Sequence, residues 1–321
     1  MTREELDQAL QGLASGKLKL QVQAQEWLLE QAEQASSQAL VAARVEPLLT
    51  HPDSQVRGTA CLVLATARGE AALPLLAPRA ADPVSGARCA LAEAGGIIGQ
   101  PARALLRALV VDGVFAVRLE AAIGLAELGD GAGLDALVEG LAGSGLRFET
   151  LSALRALADS RALEPVRRFF RRILLSGWER TAAAGVLARL GDREGRAFLI
   201  DKIARGRGDE LGLAIEIAGD LKLAEACEGL QRVAAEPSQL FRGAALRALG
   251  MLGDEAVLGL LTRVLLDEAE DAAVRMDAAE GLMHLGTPRA RALLEEASRA
   301  VRDEELAKVV CEALATLGPN P

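Results

Sequence analysis

The 321 residues contain no tyrosine, two tryptophans and six phenylalanines. A chain so short of aromatic rings lacks an antibody-like paratope and has few platforms on which bases could stack. Histidine is equally scarce. His51 stands in the turn THPDS and His284 beside the helix end Leu285-Gly286, and both read as solvated polar positions. Neither has a serine or cysteine nucleophile beside it, and no HxxxH or CxxC spacing occurs, so no metal ligands are assigned. The cysteines Cys61, Cys89, Cys227 and Cys311 lie far apart and read as small buried thiols. The glycine-rich places Gly95-Gly96, Gly129–Gly133 and Gly143–Gly145 lack the lysine of a phosphate loop and read as helix ends. No catalytic residue and no cofactor is expected. Positive charge is in deficit too. The net charge of −9 opposes general binding of nucleic acid, which rests on Lys and Arg at phosphates. MTREELDQAL reads as an ordinary helix rather than a basic-then-apolar leader, and no apolar run looks long enough to span a bilayer. The expected compartment is the cytoplasm.

What the chain does have is one phrase, repeated. An arginine is followed eleven residues later by a glycine, across an Ala/Leu-rich stretch: Arg88 to Gly99, Arg118 to Gly129, Arg180 to Gly191, Arg242 to Gly253 and Arg275 to Gly286. Weaker copies begin at Arg57, at Arg147 (with Ala158 in the glycine slot), near Gly208 and near Ala307, in steps of 28 to 34 residues. Such a step holds two helices of about 11–13 residues and two turns. The first helix carries one apolar stripe, for example Leu119, Ala122, Ile123, Ala126 and Leu128. The glycine ends it by accepting a left-handed backbone. The following Asp130, Asp192 or Asp254 is placed to cap the second helix. Pro83, Gly113, Gly145, Gly177 and Pro237 punctuate the junctions. A short unit repeated this way means a solenoid, because each unit buries its core only against its neighbours.

The expected fold class is therefore all-α, an α-solenoid of antiparallel helix pairs with about nine repeats. Residues 1–50 read as an N-terminal helical cap, with helices over 3–14, 24–34 and 37–49. LKLQVQA (Leu18–Ala24) alternates like a strand but precedes a strongly helical stretch, which favours helix. Residues 51–318 form one continuous array, and the tail Gly318-Pro319-Asn320-Pro321 closes it. The leading arginine is expected to pair with an acid of its own or the next turn, as Arg57 with Asp53 and Arg275 with Asp271.

Strings of the type D-x-x-V-R-x-x-A-A-x-x-L-G-x-L-G-D, best seen in Asp271–Gly286 and Val117–Asp130, resemble the HEAT-repeat family. The resemblance is nearest to its short bacterial variety, of the phycobilin-lyase type. It covers residues 51–318. It implies a right-handed superhelix, armadillo-like in kind, with the second helices lining the concave face. It does not imply an activity, since the fold hosts scaffolds, lyase subunits and some DNA glycosylases.

One segment stands above this background. Arg167, Arg168, Arg171 and Arg172 lie beside Phe169 and Phe170; on a continuous helix they span an arc of about 140°. Leu163, Val166, Phe169, Phe170, Ile173 and Leu174 take the opposite arc, with Phe169, Phe170 and Trp178 expected to pack inside. Arg161–Arg207 holds twelve Lys/Arg and five Asp/Glu, net +7, so the rest of the chain carries −16. Asp267, Glu268, Glu270, Asp271, Asp303, Glu304 and Glu305 form the acidic counterpart. Arg167, Arg168, Arg171, Arg172, Arg196, Lys202, Arg205 and Arg232 are the candidate partner-binding residues, suited to carboxylates. The expected function is a non-enzymatic protein-interaction scaffold that takes an acidic peptide or helix. The alternative is a subunit or chaperone-like component of a lyase-type, chromophore-attachment enzyme. A nucleic-acid-binding HEAT-like protein ranks below both.

Overall fold

A computed structural model describes residues 1–143, 145–236 and 238–318. The expectations for Pro237 and for the tail Pro319–Pro321 lie outside them. The described residues contain helices and no strand, and the chain is an α-solenoid. By contacts it divides into two compact units, Met1–Ala162 and Leu163–Pro321. The partition at residue 50 was one by motif, and this one is by packing.

The first unit opens with helices Arg3–Leu13, Leu18–Glu33 and Gln38–Val45, so the alternating LKLQVQA is helical. Helix pairs follow: Ser54–Arg68 with Leu73–Leu76, Ser85–Ile98 with Arg103–Leu109, and Phe115–Glu127 with Leu134–Gly140; Arg147–Leu157 comes last. The second unit starts at Leu163–Phe170. It continues with Gly177–Arg189 and Arg193–Arg205, Leu211–Asp220 and Cys227–Ala235, Arg242–Leu252 and Leu258–Leu266, then Ala272–Leu285 and Pro288–Ala300, ending on Glu304–Thr316. The weak unit near Gly208 is thus present, and the one near Ala307 supplies a single helix among the described residues.

Two expectations about the pair need revision. The second helices are shorter than about 11–13 residues where a 3-10 turn opens them, as Gly131–Gly133 does before Leu134–Gly140 and Glu255–Val257 before Leu258–Leu266. Asp130 and Asp254 cap these turns, accepting from the N–H two residues on (Ala132 and Ala256), but Asp192 makes the same bond and starts the full helix Arg193–Arg205. The first helices, in turn, are buried on more than one stripe. In Ser54–Arg68, Val56, Gly58–Ala65 and Ala67 are all buried, because that helix packs against Leu18–Glu33, Gln38–Val45 and Ser85–Ile98 and against the 3-10 turns Glu46–Thr50 and Gly69–Ala72. This explains an Ala/Gly-rich helix. In the second unit a Cβ on Gly250 would lie 2.0 Å from the Gly281 carbonyl oxygen, so helices Arg242–Leu252 and Ala272–Leu285 approach as only glycine permits.

The helical run Ser54–Ala81 has the length and hydropathy of a membrane span, contrary to the expectation that no run did. Gly69 breaks it at φ 52°, and half of its most apolar stretch is buried within the protein, so here it serves as a core hairpin. Cys61 is buried and burial pushes its thiol up to about 12. Cys89 and Cys227 are half-buried and Cys311, on helix Glu304–Thr316, is exposed, so the expectation of four buried thiols holds fully only at Cys61.

The repeated arginine is the connector between units, and its partners differ from those expected. Arg57 grips Asp82 of the next repeat with Nε and Nη2 at 2.6 and 2.7 Å, while Nη1 donates to the carbonyls of His51 and Pro52 behind it. Arg88 repeats this, gripping Asp112 at 2.7 and 2.9 Å and donating to the Asp82 carbonyl at 2.6 Å. Arg118 donates to the Asp112 carbonyl at 3.1 Å. Asp82 and Asp112 also accept from the N–H of Val84 and Val114. The side-chain hydrogen bonds from Arg57 and Arg88 hold both carboxyls below the usual carboxylate range. Asp53 and Asp271 are helix caps instead, accepting from Gln55 and Ala273. In the second unit Arg180, Arg242 and Arg275 likewise reach back to the carbonyls of Arg172, Ala234 and Leu265 at 2.9, 2.8 and 3.0 Å. Arg242 also pairs with Glu270.

The helix-ending slot gives a direct test. Gly191 has φ 81° with open space where a Cβ would be, whereas Ala158 occupies the same slot at φ 52°. Left-handed backbone costs a non-glycine residue about 1–2 kcal/mol, partly offset by the loss of glycine's freedom in the unfolded chain. Ala158→Gly should therefore stabilise the protein by about 0.5–1 kcal/mol, and Gly191→Ala destabilise it by about 1 kcal/mol, in denaturant unfolding. Shifts of the same sign for both would contradict this assignment.

Candidate functional site

The basic segment of the second unit departs from its expected geometry at the helix end. Helix Leu163–Phe170 stops at Phe170. Arg171 and Arg172 make only its last backbone bonds, to Arg167 and Phe169 at 3.2 and 3.0 Å. Ser176 and Glu179 then form a capping box that starts Gly177–Arg189. With both helices fixed, residues 171–176 must bridge them, and the buried stripe cannot continue. Phe169 and Phe170 are buried as expected, Phe170 meeting Phe198 edge-on at 5.4 Å. Trp178 is 46% exposed, correcting the expectation that it packs inside, and Ile173 and Leu174, expected on the apolar arc of the helix, are 91% and 94% exposed. Four guanidinium groups on one helix face is corrected as well: Arg167 and Arg168 are helical, while Arg171 and Arg172 belong to the bridge.

The structure sorts the eight candidate cations by their partners. Arg167 belongs to the framework, bound to Asp192, the cap of the next second helix, and to Glu164. Burial would raise the Asp192 carboxyl, but Arg167 and the N–H groups of Glu194 and Gly195 together hold it below its usual range. Arg171 pairs with Glu194 at 2.7 Å and Arg196 with Glu225 at 2.9 Å, each reaching the start of the next second helix. Arg107 makes the same reach to Asp130 in the first unit. Lys202 pairs with Glu210 at 2.9 Å in a half-buried contact, and that hydrogen bond lowers the Glu210 carboxyl. Among the described residues Arg205 holds only Asp201 of its own helix, and both are exposed. Arg232 donates to the Ala204 carbonyl at 3.3 Å, tying its helix to Arg193–Arg205. Arg168 donates weakly to the Glu164 carbonyl at 3.5 Å, and Arg172 stacks its guanidinium on the Phe169 ring at 4.9 Å. The acidic counterpart is partly structural too, since Glu270 pairs with Arg242 while Asp271 and Asp303 cap helices.

Lys202 and Arg205 line a cleft of ≈ 570 Å³ with Phe198, Asp201 and Arg207. Arg207 is exposed and, among the described residues, has no ion-pair partner. Sequence reasoning did not select Phe198 or Glu210, because neither carries a signal of its own. Their roles come from packing, against Phe170 and Lys202. Exposure of Ile173 and Leu174 did have a signal, in the Ser-Gly pair that follows them so closely.

The first unit holds a second group of ionisable residues. Glu93, Glu120 and Glu149 stand on three successive first helices. Burial, and then the charges of Glu93 and Glu149, push Glu120 up to about 7. Burial raises Glu93 as well. Between about pH 4.5 and 7 the folded state keeps a proton that the unfolded chain has lost, so stability declines as pH rises through that window. Glu120→Gln should remove much of that decline: its melting temperature should fall less than the wild type's between pH 5 and pH 8. Equal falls would contradict the shift.

A family model described as HEAT repeats matches residues 41–115 and 228–315, together just over half of the chain. A model described as PBS lyase HEAT-like repeat matches residues 117–143. No curated protein sequence matches the chain. Among solved structures, the complex of CpcE and CpcF of phycocyanin lyase from Nostoc is similar at 18% identity and TM-score 0.44, over 86% of this chain and 94% of that one. Human deoxyhypusine hydroxylase in complex with glycerol is similar at 21% identity and TM-score 0.33, over 78% and 96%. The karyopherin Kap121p, bound to the extreme C-terminus of the protein phosphatase Cdc14p, is similar at 12% identity and TM-score 0.43, over 97% and 41%. Nothing about function follows from likenesses at these values.

Proposed function

This chain belongs to the HEAT-repeat family, and from that premise we propose that it is a non-enzymatic scaffold binding an acidic segment of another protein on the second helices of its C-terminal unit. The observation that carries the reading is the cleft of Phe198, Lys202, Arg205 and Arg207. Lys202 is held in a neutral pair by Glu210, and the positive field comes from the excess of seven cations over Arg161–Arg207. Arg205 holds Asp201 in an exposed i,i+4 pair, which contributes little in water, so an incoming carboxylate can replace Asp201 at small loss. Arg207 adds a planar fork for a second carboxylate. Arg196 and Arg232, on this and the adjacent second helix, extend the field within about one Debye length. The framework pair Arg167–Asp192 holds the helices in place and is not consumed by binding.

Affinity capture from the source cell, with the double variant Arg205→Glu/Arg207→Glu as control, tests this. The variant should lose one or more acidic partners and keep its melting temperature, and wild-type capture should weaken with added salt. Equal recovery by both proteins would contradict the proposal. The match of residues 117–143 to the PBS lyase HEAT-like repeat favours a second reading, a subunit or chaperone-like component of a chromophore-attachment enzyme. A pigment absorbance band in the purified protein would put that reading first.

A further inference from the structure

Residues 171–176 are a short bridge between helices, yet their backbone is pinned at both ends and in the middle. Arg171 and Arg172 donate to Arg167 and Phe169. The Ser176 hydroxyl accepts from the Glu179 N–H at 3.1 Å, and the Glu179 carboxylate takes the Ser176 N–H at 3.0 Å. From the following helix Arg180 donates to the Arg172 carbonyl at 2.9 Å and reaches the Ile173 carbonyl at 3.5 Å. A loop tied this way presents its side chains in one arrangement. What it presents is aliphatic: Ile173 and Leu174 stand almost wholly in water, with Trp178 half-exposed just beyond. Single exposed apolar residues are ordinary. Three within six positions, on a pinned backbone, make a preformed anchor.

The anchor borders the basic cleft. A Cβ on Gly177 would lie 2.0 Å from the Glu210 carboxylate, so the start of the anchor's helix rests on the acid that fixes Lys202. Phe170, which precedes the bridge, meets Phe198 of the cleft wall. The anchor's helix therefore starts beside the acid that pairs with a lysine of the cleft.

Resting on the scaffold reading above, we infer that the Ile173–Leu174–Trp178 tip and the Arg205–Arg207 cleft together form a two-part docking surface for an acidic amphipathic helix of a partner protein. Charge complementarity selects this occupant. The cations beside the tip call for carboxylates, and the tip calls for an apolar stripe between them. A helix supplies both by placing apolar residues at i, i+3/i+4 and i+7, with acids on the flanks. Trp178 gives such a stripe a broad, stiff face. A bilayer rich in anionic lipid would suit the tip but presents no apolar stripe between acids, and it is an outcome of the test below.

A display selection of random 16-residue peptides against the full chain tests the inference. Enriched peptides should be net acidic with an apolar i, i+3/i+4, i+7 stripe. Their affinity should fall at least tenfold for Ile173→Ser/Leu174→Ser and at least tenfold at low salt for Arg205→Glu/Arg207→Glu. All four positions are exposed, so folding is checked simply by an unchanged melting temperature. Acidic peptides without a stripe, indifferent to Ile173→Ser/Leu174→Ser, would overturn the two-part surface and leave the acidic-segment reading standing. Uncharged or basic peptides, indifferent to Arg205→Glu/Arg207→Glu, would overturn both. If no peptide is enriched the inference also fails, and sedimentation with phosphatidylserine vesicles that Ile173→Ser/Leu174→Ser abolishes would then assign the tip to a membrane.

Discussion

The stack is joined by an arginine at the start of its first helices, which reaches back to the preceding loop and, in Arg57, Arg88 and Arg242, also grips an acid ahead. In Arg57 and Arg88 two nitrogens take a carboxylate of the following repeat, and a third takes carbonyls of the loop behind. A loop between helices leaves carbonyls with no helical partner. A nearly buried carboxylate such as Asp82, with its side chain 4% exposed, needs an equally close cation. The planar five-donor guanidinium meets both needs at once, which an ammonium could not. This is why the phrase begins with arginine, and why Arg57 and Arg88 lie four places into their helices. From there it reaches the preceding loop and the next repeat together.

With repeats held in register this way, the packing between them can be close and plain. Ala, Leu and Gly fill the first helices, and Gly250 against Gly281 shows how near two of them come. A chain without tyrosine can build such a core because it needs small side chains more than large ones. The second helices and inter-repeat loops are released from that constraint. Their arginines make lateral pairs of graded strength, from Arg167 with the buried Asp192 to the exposed Arg205 with Asp201. The scaffold proposal draws on the exposed end of that gradation.

Much of this was legible in the sequence, and the failures share a cause. Spacing reports local periodicity, so the repeat, the glycine helix ends and the Asp130, Asp192 and Asp254 caps could be read directly. Contacts between repeats leave no local trace. Asp53 sits four residues before Arg57, yet the partner is Asp82, 25 residues on. The apolar pattern through Leu174 continues a helix that the geometry ends at Phe170, because Ser176 already caps the next one. The basic residues were visible as a cluster; which of them are tied into the framework depended on acids placed by neighbouring helices.

The arginine connector can be measured by a double-mutant cycle on Arg88 and Asp112, using Arg88→Ala, Asp112→Ala and the pair in equilibrium denaturation. A bidentate bond between largely buried charges predicts a coupling of about 1.5–3 kcal/mol. Single-variant effects that add to within about 0.5 kcal/mol would show that the two residues do not hold the repeats together.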